Sequence, residues 1–343
     1  MKVGIAFTGT PYTVRQIVSY ASEAERLGVD SIWIAEDYFL RDSVSILACL
    51  AVSTSRVRLA FGVINPITRN PVLIAQTVAT IDEASQGRVI LTLGTGVPSL
   101  IGRIGMRVER PLTLMREAIQ VIRRLLHGCE VTFDGRAFQI NRVRLGSTPY
   151  FALSEPFRPL RADVPIYLGA VGPKMLSLAG EIADGALLTA GCSTNYVREA
   201  VERLRIGAER AGRRLEDLEV ACYILYSPEE RGMASRIVRG FVASSVAYSS
   251  PEALERDGFT EEEALRVREA LERHGIEEAS RILPDGMVET YSIVGGPRRL
   301  RDRVLDYVDA GVNLPVIISF EPEFSRVLEA IGRSLIDSGD ADA

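Results

Sequence analysis

Lysine is nearly missing from this 343-residue chain. Lys2 and Lys174 are its only two, and arginine supplies the other 38 of 40 basic residues. Against 45 acidic residues this leaves a net charge of −5, which excludes the overall positive field that a nucleic-acid binder needs. Histidine is equally scarce. His127 and His274 stand too far apart for a histidine metal site, so no metal is expected. The four cysteines, Cys49, Cys129, Cys192 and Cys222, form no Cys-x-x-Cys pair and read as reduced thiols of a cytoplasmic protein. Cys192 has no histidine near it in sequence, so a nucleophilic role is not expected. No apolar run reaches the roughly eighteen residues of a membrane span, and the opening MKVGIAF reads as a strand rather than a charged leader. A dinucleotide fingerprint is lacking too. Gly94-Thr95-Gly96 follows the fourth strand, but the position three further on is Ser99.

What is present is an alternation of short apolar runs with helical periodicities. Strands are expected at Lys2–Phe7, Ser31–Ala35, Val57–Val63, Arg88–Leu93, Pro165–Leu168, Gly185–Leu188, Leu218–Tyr226 and Leu314–Ser319. They are rich in Val, Ile and Leu on both faces, as parallel strands covered by helices should be. Eight such units predict an α/β protein of the (β/α)8 TIM-barrel class, with an open doubly wound sheet as the alternative. The expected organisation is one barrel domain over 1–335. It carries insertions near 130–163 and 247–296, and a polar tail follows over 336–343. The first insertion includes a hairpin over Val131–Leu145 turning at Asp134-Gly135, then an irregular Pro-rich stretch, Gly146–Asp163.

A barrel carries its chemistry at the C-terminal ends of its strands. Read there, the chain offers two signals. Glycine clusters follow strands three to six, and Gly169-Ala170-Val171-Gly172-Pro173 runs straight into a helix, a place where backbone amides can meet a phosphate. The other signal is the acid pair Glu36-Asp37 after strand two, a candidate proton donor or hydrogen-bond partner to a polar ring. A small-molecule substrate is the expected partner. The apolar helices Ser43–Thr54 and Val72–Ala84 are compatible with a homodimer or higher homo-oligomer.

These strand ends resemble the luciferase-like superfamily and, within it, the coenzyme F420-dependent 5,10-methylenetetrahydromethanopterin reductases. The likeness runs through MKVGIAF, SIWIAEDY, GVINPITRNPVLIAQTVATIDEASQGRVILTLGTG, VPIYLGAVGPKMLSLAGEIADGALLTAG and ETYSIVGGPRRL, covering most of the chain. It implies hydride transfer between reduced F420 and a C1-carrying pterin. An FMN-dependent monooxygenase is the alternative within the superfamily, and a non-catalytic member the third. By resemblance, Gly62, Val63 and Ile64 match the bulge that backs the deazaflavin, with a non-prolyl cis bond at Gly62–Val63. Gly96 and Val97 match the loop near the cofactor tail. Gly169, Ala170, Val171, Gly172 and Pro173 match the phosphate-binding turn, and Glu36 and Asp37 the acidic–histidine pair at the ring edge. Three departures stand out. Ala6 replaces the family's glutamate, the proposed proton donor, Val97 or Pro98 replaces an acid, and Asp37 replaces the histidine.

Overall fold

The structure, a computed structural model, describes residues 1–9, 11–147, 150 and 157–336. In chain order the strands are β1 (Gly4–Phe7), β2 (Ser31–Ile34), β3 (Arg58–Phe61), β4 (Val89–Leu93), β5 (Val131–Asp134), β6 (Gln139–Val143), β7 (Ile166–Gly169), β8 (Gly185–Leu188), β9 (Glu219–Ser227), β10 (Ile293–Val294) and β11 (Leu314–Ile318). Eight of them pair in parallel in the order β11-β1-β2-β3-β4-β7-β8-β9, and β9 pairs back onto β11. The sheet is therefore closed, which settles the expected barrel against the open sheet. β10 adds a short parallel pairing to the upper end of β9.

The helices are α1 (Val14–Leu27), α2 (Ser43–Ser53), α3 (Pro71–Ala84), α4 (Pro98–Arg103), α5 (Pro111–Leu126), α6 (Pro173–Ile182), α7 (Thr194–Arg210), α8 (Met233–Ala247), α9 (Pro251–Arg256), α10 (Glu261–His274), α11 (Ile276–Ile282), α12 (Asp285–Tyr291), α13 (Pro297–Asp309) and α14 (Phe324–Ile331). Local chemistry sets their ends. Thr13 and Gln16 form a capping box at α1, and Gly28 closes it at φ 88°. Proline occupies the first turn of α3, α5, α6 and α13, where its missing N–H costs nothing. At the other end of α2, the Arg88 guanidinium donates to the carbonyls of Ala51 and Thr54 at 2.9 and 2.8 Å.

Alternation divides the strand residues between two cores. Ile5, Ile32, Leu59 and Leu91 point outward under the helices, whereas Ala6, Trp33, Ala60, Ile90, Tyr167 and Tyr223 fill the barrel. Trp33 meets Tyr223 edge-on with ring centroids 6.1 Å apart. The apolar faces of α8 and α10 to α12 continue this inner cluster.

Several expected boundaries change. The hairpin does not turn on two residues. Gly135 N–H donates to Phe138 O at 2.9 Å across a four-residue connection, because the buried Glu117 carboxylate takes the amides of Arg136, Ala137 and Phe138 at 2.8, 2.9 and 3.2 Å. After β9 the next helix, α8, starts only at Met233, and the expected insertion near 247–296 is built from four helices, α9 to α12, and the short β10. Ile336, expected to open a polar tail, ends a wide helical turn over Gly332–Ile336 and packs on the core. Residues 337–343, and 148–149 and 151–156 of the irregular stretch, lie outside the described residues.

Candidate active site at the barrel mouth

The mouth is built from backbone and small side chains. β3 runs on past Phe61 into Gly62, whose N–H donates to Ile34 O at 2.9 Å on the β2 side. On the β4 side, Ile64 N–H donates to Thr92 O at 2.9 Å and its carbonyl accepts from Gly94 N–H at 3.0 Å. The Gly62–Val63 bond between them is cis, as the resemblance implied. Val63 is then enclosed by glycines. A Cβ on Gly94 would lie 2.5 Å from Val63 Cγ2, and one on Gly169 would lie 2.7 Å from Val63 Cγ1. From below, the buried Tyr223 hydroxyl donates to Gly62 O at 3.1 Å, and a Cβ on Gly62 would fall 1.8 Å from that hydroxyl.

The other expected residues divide by direction. Ile64 and Ala170 are buried at 2 % and 1 % exposure in the outer core, so they brace the rim from behind. Val97 and Val171 are exposed. Gly96 sits at φ 65°, where a Cβ would come within 2.8 Å of Tyr38 Oη. Val97 precedes α4, a short helix absent from the sequence reading. The Val171 carbonyl accepts from the Tyr196 hydroxyl at 2.6 Å. Gly172 precedes α6 without a side-chain cap, and a Cβ there would meet nothing within 4 Å; Pro173 takes the first turn. This is an open cradle of the kind a phosphate-bearing tail fits.

Glu36 and Asp37 are adjacent in sequence but do different things. Glu36 accepts from the Ser43 hydroxyl at the start of α2 and so anchors that helix. Among the described residues, the Asp37 carboxylate receives only a long 3.4 Å contact from Gly9 N–H. Burial raises its carboxyl above the ordinary 3.8, and the Gly9 amide opposes this only in part. Its charge also helps burial push the Tyr223 hydroxyl upward. Of the pair, Asp37 is thus the one suited to carry a proton.

Sequence reasoning missed three supports. Tyr223 looked like any aromatic in an apolar strand. Asn65, 1 % exposed, donates to Thr95 O at 2.8 Å and accepts from Ile67 N–H at 2.8 Å, joining the loops after β3 and β4. Inside the barrel below Gly94, the Thr92 hydroxyl is buried and has no hydrogen-bond partner among the described residues. Among the described residues there is no cluster of His, Cys, Asp and Glu fit to hold a metal, and no helix is long and apolar enough to cross a membrane.

A closed parallel barrel with a glycine-lined mouth, one desolvated carboxyl and an open helix start defines a (β/α)8 protein of the kind that carries its active site at the C-terminal ends of the strands. The comparisons with known proteins carry this further. Residues 1–314 match the luciferase-like monooxygenase family model, and the chain belongs to that family. It is 34 % identical over 342 residues to 5,10-methylenetetrahydromethanopterin reductase of Archaeoglobus fulgidus, covering 98 % of this chain and 99 % of that one. The Methanolobus tindarius reductase is 32 % identical, covering 98 % and 100 %. Among solved structures, the coenzyme F420-dependent tetrahydromethanopterin reductase of Methanopyrus kandleri superposes with a TM-score of 0.87 at 28 % identity, covering 98 % of each chain.

Proposed function

We propose that this chain is a coenzyme F420-dependent oxidoreductase that reduces a C1-carrying pterin of the 5,10-methylenetetrahydromethanopterin type. The observation that carries this reading is the cis Gly62–Val63 bond at the mouth, with the Val63 side chain enclosed by Gly94 and Gly169 and Tyr223 packed against Gly62. Near-full-length similarity to reductases of that name supports it.

In this reading Gly62 and Val63 back the deazaflavin, Gly96 and Val97 lie beside its tail, and Gly169–Pro173 hold its phosphate. The cofactor supplies a hydride donor. The chain supplies position, exclusion of water and a proton. Asp37, whose carboxyl burial raises above the ordinary carboxylate range, is the donor that stands in where Ala6 offers none. Glu36 acts on the site by fixing α2. The protein acts in the cytoplasm on a small molecule, as a homodimer or higher homo-oligomer.

The test is an anaerobic assay of the purified protein with reduced F420 and methylenetetrahydromethanopterin, following deazaflavin absorbance. Turnover is expected. No absorbance change with any methylene-pterin removes the pterin from the proposal, and preference for FMN over F420 by about tenfold, roughly 1.4 kcal/mol, removes F420.

A further inference from the structure

The loop after β2 carries one side chain that packing does not account for. From Asp37 to Asp42 the chain crosses the rim of the mouth, and it is tied down on several sides. Leu40 N–H donates to Asp37 O at 3.1 Å. The Arg41 guanidinium donates to Gly9 O at 2.6 Å, and a Cβ on Gly9 would fall 2.5 Å from Leu40 Cβ, so the loop lies tight against the one after β1. Asn65 Nδ2 donates to the Tyr38 hydroxyl at 3.4 Å, and that hydroxyl also lies against Gly96, so the same loop meets those after β3 and β4. Asp42 then accepts from Ser45 N–H at 2.7 Å and starts α2.

Within this frame Phe39 is an exception twice over. Its backbone sits at φ 71°, in the left-handed region that glycine enters freely and a bulky residue only at a cost. Its ring is nevertheless 56 % exposed, so burial offsets little of that cost. Yet the ring is oriented. The Arg103 guanidinium at the end of α4 lies over it, with Cζ 4.9 Å from the centroid, and the Tyr38 ring stands 6.4 Å away at 51°. Val97 and Ile104, which flank α4, are exposed apolar neighbours along the chain from Arg103. A strained, exposed and oriented aromatic on a rigid loop points to a ligand rather than to the core. Such a face offers a flat heteroaromatic ring an offset stack.

We infer that Phe39, oriented by Arg103, is a specificity-determining residue that stacks on the heteroaromatic ring of the substrate seated in the mouth. That this ring is a pterin rests on the proposed function. One loop then supplies both the stacking face and, two residues earlier, the proton donor Asp37. Stacking holds the substrate and its transition state alike, so it appears in KM and not in kcat.

The test compares full-length wild type with Phe39→Gly, Phe39→Leu, Phe39→Tyr and Arg103→Gln, assayed anaerobically with reduced F420 and methylenetetrahydromethanopterin. Phe39→Gly is expected to raise KM for the pterin about tenfold, with kcat and the F420 affinity from fluorescence titration changed less than about twofold. Phe39→Leu keeps apolar bulk without a π face and should raise KM about fivefold. Phe39→Tyr restores the ring and should stay within about twofold of wild type. Arg103→Gln, which frees the ring, should raise KM about threefold. Because glycine suits φ 71°, Phe39→Gly should melt no lower than wild type, which a purely structural ring would not allow.

Wild-type turnover with a pterin KM that Phe39→Gly or Phe39→Leu leaves within about twofold overturns the inference and leaves the proposed function standing. A Phe39→Gly protein that melts lower and loses F420 and pterin binding together overturns it as well, since the ring is then structural. No turnover of any methylene-pterin by wild type overturns both.

Discussion

The two ends of this barrel are made differently. At the lower end, where the strands begin, charged groups are numerous and paired. Arg58 bridges Asp30 and Glu219, reaching Glu219 Oε2 at 2.8 Å, and the Tyr167 hydroxyl donates to the same glutamate. Burial alone would raise the Glu219 carboxyl, but Arg58 and Tyr167 outweigh it and hold the group below its usual range. Asp82, 1 % exposed, accepts from Arg161 and from Val89 N–H. At the upper end, glycines replace side chains, and among the described residues the Thr92 hydroxyl has no partner and the Asp37 carboxylate receives only the long contact from Gly9 N–H. The lower end holds the fold together. The upper end keeps its polar groups available, which is what a ligand site requires.

The contrast is sharpened by variants that separate the ends. The largest expected effect is at the base. Asp82→Ala strands the Arg161 guanidinium and should lower unfolding free energy by about 3 kcal/mol in urea titration, with F420 affinity of the surviving folded protein unchanged. Next is Asp37→Asn, expected to reduce turnover about 100-fold while leaving the melting temperature near wild type. Because the Asp37 carboxyl is raised in the folded state, its protonated form is the one the fold favours. Activity should therefore fall as pH rises through that raised value, and Asp37→Asn should abolish this limb of the pH–rate profile.

Smaller effects are expected further from the reacting groups. Tyr223→Phe removes the donor to Gly62 O and should cost about 1 kcal/mol of stability, with a loss of F420 affinity measured by fluorescence titration. Glu25 at the base receives the amides of Ser55, Arg56 and Val57 at 2.8, 2.6 and 3.0 Å, which outweigh partial burial and lower its carboxyl to about 2. Its contribution is present above the ordinary 4.5 and lost as pH falls through about 2. Glu25→Gln should cost about 1 kcal/mol at neutral pH and leave cofactor binding untouched. Were a base variant to impair F420 binding as much as a rim variant, the division between the ends would fail.

How much of this could be read beforehand depends on the kind of signal. The eight strands were legible because each is a short run of Val, Ile and Leu bounded by turn residues. Closure was an inference from their number, and only the β9–β11 and β8–β9 registers demonstrate it. α4 escaped notice because six residues opening on Pro98 show no periodicity. The β5–β6 turn was misplaced because Glu117, which organises it, stands in a different element. At the mouth, the glycines marked the right loops, but which of Glu36 and Asp37 faces the site depends on which way each side chain points and on what it finds there. Tyr223 gave no signal at all, since its role lies in a carbonyl supplied by β3's continuation.

The most direct measurement is an anaerobic fluorescence titration of F420 into wild type and into Gly169→Val, whose side chain would enter the space Val63 occupies. Saturable binding by wild type, weakened at least about tenfold in the variant, is the predicted result. Absence of binding by wild type, or equal binding by both proteins, would contradict a mouth shaped for a flat redox ring.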